Sequence, residues 1–231
     1  MCGRYALIPN RRAWEEAGRD LGPDINAVLS ELRGLRARYN VPPSATMPII
    51  VQDRESRLPA LREARWGYIP HWWNQERPPD KSFNARRETA AQKPMWRQAW
   101  RRARCLVPAS LWYEWKRQGS QKQPYAISAE EGELMFAGLW SVWRDPVSHQ
   151  EITSFGIVTQ DAEDAIAHVH HRMPLILAPQ LWLPWIDRSL TDLREIATAL
   201  AQNDLTKLKA YRVRTLVNRP ANDGPEVIEP E

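Results

Sequence analysis

Helical spacing of apolar side chains opens the chain. Residues 11–21 predict a short amphipathic helix, with Asn10 as its N-cap and Gly22 just past its end. Residues 24–37 predict a second helix, weakened by Gly34. Tyr39-Asn40-Val41-Pro42-Pro43-Ser44 then reads as a stiff turn, because two prolines fix φ. Period-two alternation comes next. Met47–Val51 and Leu61–Trp66 predict strands joined by a charged turn at Asp53-Arg54-Glu55. From Gly67 to Phe83 the pattern is irregular, aromatic and proline-rich, which predicts a long loop of the kind that carries function.

A helix is expected from Pro94, suited to a first turn, to Arg102. On it Trp96, Ala99, Trp100 and Ala103 share one side and Arg97, Arg101 and Arg104 another. Those arginines suit a solvated face or contact with phosphates. A run of strands comes after it: Cys105–Val107, Trp112–Arg117, Tyr125–Ser128, Leu134–Val142 and Ile152–Thr159, with a turn at Gln118-Gly119-Ser120. His170–Leu177 begins another apolar segment. Residues 179–187 and 189–202 predict helices, the second capped by Ser189 or Thr191, and Val227–Glu231 reads as loop. With no repeat, linker or low-complexity tract, one α+β domain over 1–231 accounts for the pattern.

Composition narrows the class. The chain has 231 residues, enough for one full domain, and 43% of them are hydrophobic. No apolar run approaches the ~18 residues of a membrane span. The start lacks a basic stretch followed by an apolar one, and only Cys2 and Cys105 are present, so a cytoplasmic protein without disulfides is expected. Net charge is +4, a mild basic bias that suits nucleic acid without requiring it. Only six basic residues are lysine, and arginine suits bidentate phosphate contacts, although GC-rich coding produces the same skew. Among the twelve tryptophans, adjacent Trp72 and Trp73 cannot both point inward on a regular strand.

Candidate chemistry gathers around Met1-Cys2-Gly3-Arg4-Tyr5. A small second residue permits removal of the initiator Met1, leaving Cys2 with a free α-amine and a thiol. That amine has a reference pKa of about 8 and the thiol about 8.5, so both are nucleophilic near neutrality, and Arg4 would enlarge the thiolate fraction. Together they attack one aldehyde: the amine forms an imine, and sulfur closes a thiazolidine intramolecularly. Glu114, flanked by aromatics in Leu111-Trp112-Tyr113-Glu114-Trp115, is either a buried carboxyl with a raised pKa or an outward strand charge beside Lys116. His168 and His170 would share a strand face. Without a convincing third and fourth ligand they suggest no metal, and His170 reads as an acid/base or a structural histidine. Asn84 suits holding a sugar hydroxyl or a carbonyl. Arg86 and Arg87 suit phosphates, and Trp72 and Trp73 suit bases.

The N-terminal Cys-Gly-Arg-Tyr resembles the start of the SRAP family, the SOS-response-associated peptidases also described as abasic-site processing proteins. The likeness continues in family order through 39–44, Gly67-Tyr68-Ile69-Pro70-His71-Trp72-Trp73, Asn84-Ala85-Arg86-Arg87-Glu88-Thr89, 104–110 and Tyr113-Glu114-Trp115-Lys116. It runs on through His170-His171-Arg172-Met173-Pro174, Val217-Asn218 and 222–226. Leu111-Trp112 departs from the glycine-aromatic pair usual there. The resemblance implies a mostly antiparallel, barrel-like β core flanked by helices, and no cofactor. It implies a monomer that crosslinks Cys2 to abasic sites in single-stranded DNA, with Asn84, Glu114 and His170 catalytic. Arg4, Asn40, Trp72, Trp73, Arg86 and Arg172 would line the DNA cleft. Action near the nucleoid with replication-fork components, removal of Met1 in cis and lyase-like side chemistry are further implications. An N-terminal-nucleophile amidohydrolase or peptidase, or a non-catalytic single-strand binder, are the competing readings.

Overall fold

The first strand, β1 (Tyr5–Leu7), is a three-residue buried segment that alternation alone does not reveal. The computed structural model describes residues 2–203 and 207–231, and in it β1 ties the N-terminus to both sheets of the fold. Met1, whose removal the N-terminal chemistry requires, lies outside the described residues. Asn10 accepts the Ala13 N–H at 3.3 Å and caps α1 (Arg11–Gly18), as expected. Gly22, at φ 94°, turns the chain into α2 (Pro23–Leu32), which stops two residues before Gly34 rather than reaching 37. The expected turn at 39–44 is corrected in part. Residues Arg38–Val41 form β2, because their backbone pairs with β1 (Tyr5↔Val41, Leu7↔Arg38), and only the two prolines and Ser44, at φ 75°, remain to turn.

β3 (Thr46–Gln52) and β4 (Pro59–Trp66) form the predicted hairpin. In its turn Asp53 accepts the Glu55 and Ser56 N–H groups at 3.0 and 3.1 Å. The long loop returns as β5 (Asn84–Arg86), followed by α3 (Arg87–Ala90) and α4 (Arg97–Arg102). Four long strands come next: β6 (Arg104–Ala109), β7 (Leu111–Gln118), β8 (Gln121–Ala129) and β9 (Leu134–Arg144). β10 (Glu151–Asp161), α5 (Asp164–Ala167), β11 (Arg172–Pro174), α6 (Trp182–Ile186), α7 (Leu193–Ala201) and β12 (Leu208–Arg212) complete the order. Asp192, not Ser189 or Thr191, caps α7 by accepting the Arg194 N–H. Ser189 is committed instead to the Asp187 carboxylate at 2.8 Å.

Strands β10, β4, β3, β6 and β9 close on themselves, since β9 also pairs with β10, giving a five-strand barrel without a free edge. All its pairings are antiparallel except β10 with β4. A second sheet, ordered β12-β8-β7-β1-β2, packs against it. Tyr5 of β1 meets Trp66 at 5.2 Å and Phe136 at 6.3 Å between ring centres, so the N-terminal strand is keyed into the barrel core. The expected α+β fold with a barrel-like core and flanking helices is what forms. Among the described residues, no helix is long and apolar enough to cross a membrane.

Arg104 overturns its predicted place on a solvated or phosphate-facing side of a helix. It starts β6 and is buried. Its guanidinium donates to the carbonyls of Trp100, Arg101, Trp185, Asp187 and Leu190, joining the end of α4 to the loop after α6. The helical spacing that groups it with Arg97 and Arg101 ends before it is reached.

Candidate active site

β1 runs antiparallel to β7, with Tyr5 opposite Trp112 and the Tyr113 N–H donating to the Arg4 carbonyl at 3.0 Å. Continued toward the N-terminus, this register carries Gly3 and Cys2 alongside Glu114 and Trp115. Leu111 pairs regularly with Ala6, so strand pairing, not a glycine bend, sets the direction of Glu114. Cys2 is fully buried, and its carbonyl accepts a hydrogen bond from Asn84 Nδ2 at 2.7 Å. Asn84 is held on β5, which pairs in parallel with β10 (Asn84↔Ile157). Its Oδ1 is buried without a hydrogen-bond partner among the described residues.

Glu114 is 2% exposed, which removes the alternative of an outward strand charge. Burial pushes its carboxyl up to about 7. His170 Nε2 lies 3.9 Å from Glu114 Oε2. The Arg172 N–H donates to His170 Nδ1 at 3.0 Å, which leaves the ring proton on Nε2, facing the carboxyl. Burial holds His170 down at about 4, so near neutrality the imidazole is uncharged and Glu114 is poised to carry a proton. His171 stacks on the His170 ring at 4.5 Å. His168 does not share a strand face with His170, because 164–167 are helical and His168 packs edge-on against Tyr125.

The thiol departs from expectation. Desolvation, then the nearby Glu114 carboxylate, pushes Cys2 well above the ordinary thiol range, so it is a neutral thiol. The Arg4 backbone N–H offsets this only in small part, and its guanidinium is engaged elsewhere. Its Nη1 donates to Asn40 Oδ1 at 2.7 Å and to the Val217 carbonyl at 2.8 Å, and its guanidinium lies 5.9 Å from the Trp115 ring centre.

Glu114 and His170 open into a pocket of about 470 Å³, which Trp115, Lys122 and Asn218 also line. Residue patterns alone do not single out these three, although Trp115 and Asn218 sit inside motif blocks noted for other reasons. Trp115 Nε1 donates to Asn218 Oδ1 at 2.7 Å and ties two of the walls together.

The residues expected to touch DNA separate into two groups. Trp72 is 52% exposed, with Trp73 edge-on to it at 5.9 Å, and Arg86 is exposed on β5 two residues from Asn84. Asn40 and Arg172, by contrast, are buried and held by protein partners. Arg172 spans Glu88 (2.8 and 3.0 Å), Asp161 (2.6 Å) and the Thr159 carbonyl (2.8 Å), so both of its Nη groups are engaged and its backbone orients His170. Asn40 Nδ2 donates to the carbonyls of Val217, Arg219 and Asn222. Asp223 accepts the Tyr39 and Asn40 N–H groups at 2.7 Å each and pins the same segment. Asn40→Ala strands these carbonyls, and urea denaturation is expected to show a loss of about 2 kcal/mol.

A family model described as SOS response associated peptidase (SRAP) matches residues 1–220. The chain is 36% identical over 231 residues to the abasic site processing protein YoqW of Bacillus subtilis, covering 99% of each chain. It is 31% identical over 238 residues to the abasic site processing protein YedK of Escherichia coli, covering all of both. A crystal structure of a protein from Bacteroides thetaiotaomicron, 27% identical, superposes over the full length of both chains with a TM-score of 0.78.

Proposed function

The chain belongs to the SRAP family, and on that premise we propose that it processes abasic sites in single-stranded DNA by bonding covalently to them through Cys2. The observation that carries this reading is the convergence of four polar residues from distant segments. Asn84 holds the Cys2 carbonyl at 2.7 Å, while Glu114 and His170, 3.9 Å apart, face the adjoining pocket.

The chemistry derives from the groups present. Once Met1 is removed, Cys2 offers its α-amine to the C1 aldehyde of the ring-opened sugar. An abasic sugar rests mainly as a closed hemiacetal, so a proton delivered to the ring oxygen assists opening, and Glu114 with its carboxyl near 7 is suited to give it. The amine adds to C1, and the carbinolamine loses water to give an imine. The thiol then adds to the same carbon, its proton passing to nitrogen by way of the Glu114 carboxylate, and the five-membered ring closes. One water is released overall. A neutral thiol suits this order, since the Glu114 carboxylate left after ring opening can take its proton and relay it to nitrogen. A thiolate-dependent hydrolase, by comparison, is disfavoured by the burial of Cys2.

The neutral imidazole of His170 supports transfers to and from the departing water. Asn84 fixes the Cys2 backbone and retains Oδ1 as an acceptor for a sugar hydroxyl. The imine acidifies C2 of the sugar and invites strand cleavage by β-elimination, and ring closure by sulfur removes that route. Shielding the strand is therefore the outcome of the reaction. Intact-mass spectrometry before and after incubation with single-stranded DNA bearing one abasic site tests the proposal. A protein lighter by one methionine, then an adduct equal to protein plus DNA minus one water, is expected. An adduct formed with Met1 still attached would refute it.

A further inference from the structure

A second cavity, sharing no lining residue with the reactive pocket, gathers arginines from separate parts of the chain. Arg54 of the β3–β4 turn, Arg62 of β4, Arg102 of α4 and Arg188 after α6 line an open basin of about 480 Å³, with Trp140 of β9 at its side. The Arg62 guanidinium lies 5.9 Å from the Trp140 ring centre. His71, next to exposed Trp72, lines the same basin.

Carboxylates do not balance this charge. Arg62 has Asp53 at 3.2 Å, and Arg57, from the same turn, has Asp187 at 3.3 Å. Arg54, Arg102 and Arg188 have no carboxylate within ion-pair distance among the described residues, and Glu151 is the acidic side chain among those lining the basin. Burial, then the positive charges of Arg54, Arg57 and Arg102, holds the Arg188 guanidinium below its ordinary range, against a smaller opposing pull from Asp53. Like charges crowded at the mouth of one concavity repel until an anion enters between them.

We propose that this basin seats the phosphodiester backbone of the DNA strand flanking the lesion, with Trp140 and the Trp72 loop offering faces to unstacked bases. The inference rests on the reading of DNA as substrate, and the loop gives it a path. Trp143 Nε1, on a residue opposite Ile152, donates to the Trp73 carbonyl, whereas Asn84 sits opposite Ile157. Five residues along β10 are about 17 Å, within the reach of the roughly 4–16 nucleotides that a single-strand site commonly holds.

The test measures binding of undamaged single-stranded DNA across a salt series for the wild type and for Arg54→Ala/Arg102→Ala/Arg188→Ala. Three lost phosphate contacts should flatten the slope of log K against log[salt] by about 2. The exposed pair alone, Arg54→Ala/Arg102→Ala, should flatten it by about 1.4 should the triple variant fold poorly. Lysine at the same three positions should restore the slope. Crosslinking to a short abasic oligonucleotide that cannot reach the basin should be unchanged. Variants with the wild-type slope and affinity overturn the basin while leaving the reaction standing. A flattened slope in a protein that never crosslinks overturns the reaction and leaves the basin.

Discussion

Cys2→Ser is expected to abolish the heat-stable adduct with abasic single-stranded DNA and to raise strand nicking in its place. Serine is small enough for Met1 still to be removed, so the α-amine and the imine survive. What is lost is the sulfur that, two carbons from the nitrogen, traps the imine carbon. Intramolecular trapping has a large proximity advantage, and removing it should lower the yield of stable adduct by about 10²-fold or more. The imine then partitions toward β-elimination. Borohydride should still capture a protein–DNA species with the serine variant, because reduction fixes an imine without needing sulfur. Cys2 is fully buried, so thermal melts of both proteins must first show that the hydroxyl is accommodated. Heat-stable adduct from the serine variant without borohydride would remove the thiazolidine from the mechanism.

The fate of the thiol shows where residue patterns stop informing. The sequence places Arg4 two residues from Cys2, and adjacency alone implies an activated thiolate. In the fold, the register of β1 turns the guanidinium toward Asn40, Val217 and Trp115, and Cys2 goes into the core with a carboxylate nearby. The burial of Arg172 and Asn40 is hidden from the sequence for the same reason. Their partners lie 84 and 177 residues away (Glu88 and Val217), so nothing local distinguishes a buried side chain held by protein groups from an exposed one. Helical spacing assigns Arg104 to a helix that stops short of it.

What is legible is equally physical. Glu114 between aromatics and Asn84 at the end of a proline-rich loop are polar residues in apolar settings, and burial there has a cost that a fold tolerates only for a return. The hairpins with strong alternation form as their pattern predicts. The short strands β1, β2 and β12 take their identity from neighbours and not from their own pattern.

Glu114→Gln separates that return from that cost. The amide fills the same space and can still meet His170, but it neither gives nor takes a proton, so adduct formation should slow by about 10²–10⁴-fold. In the wild type the acid form is depleted as pH rises through about 7, and the rate should decline there. The residual rate of the variant should show no decline in that range. Stability should move the other way. The folded-state pKa of Glu114 is raised from 4.5 to about 7. Its protonated form therefore favours the native state fully below about 4.5, and that benefit is lost as pH rises to 7. Above pH 7 the ionised carboxyl costs the fold up to about 3 kcal/mol. Denaturation should find Glu114→Gln similar to wild type at pH 5 and more stable at pH 8. A variant that is less stable at pH 8, or whose rate keeps the wild-type decline near pH 7, would show that Glu114 is not the group that delivers the proton.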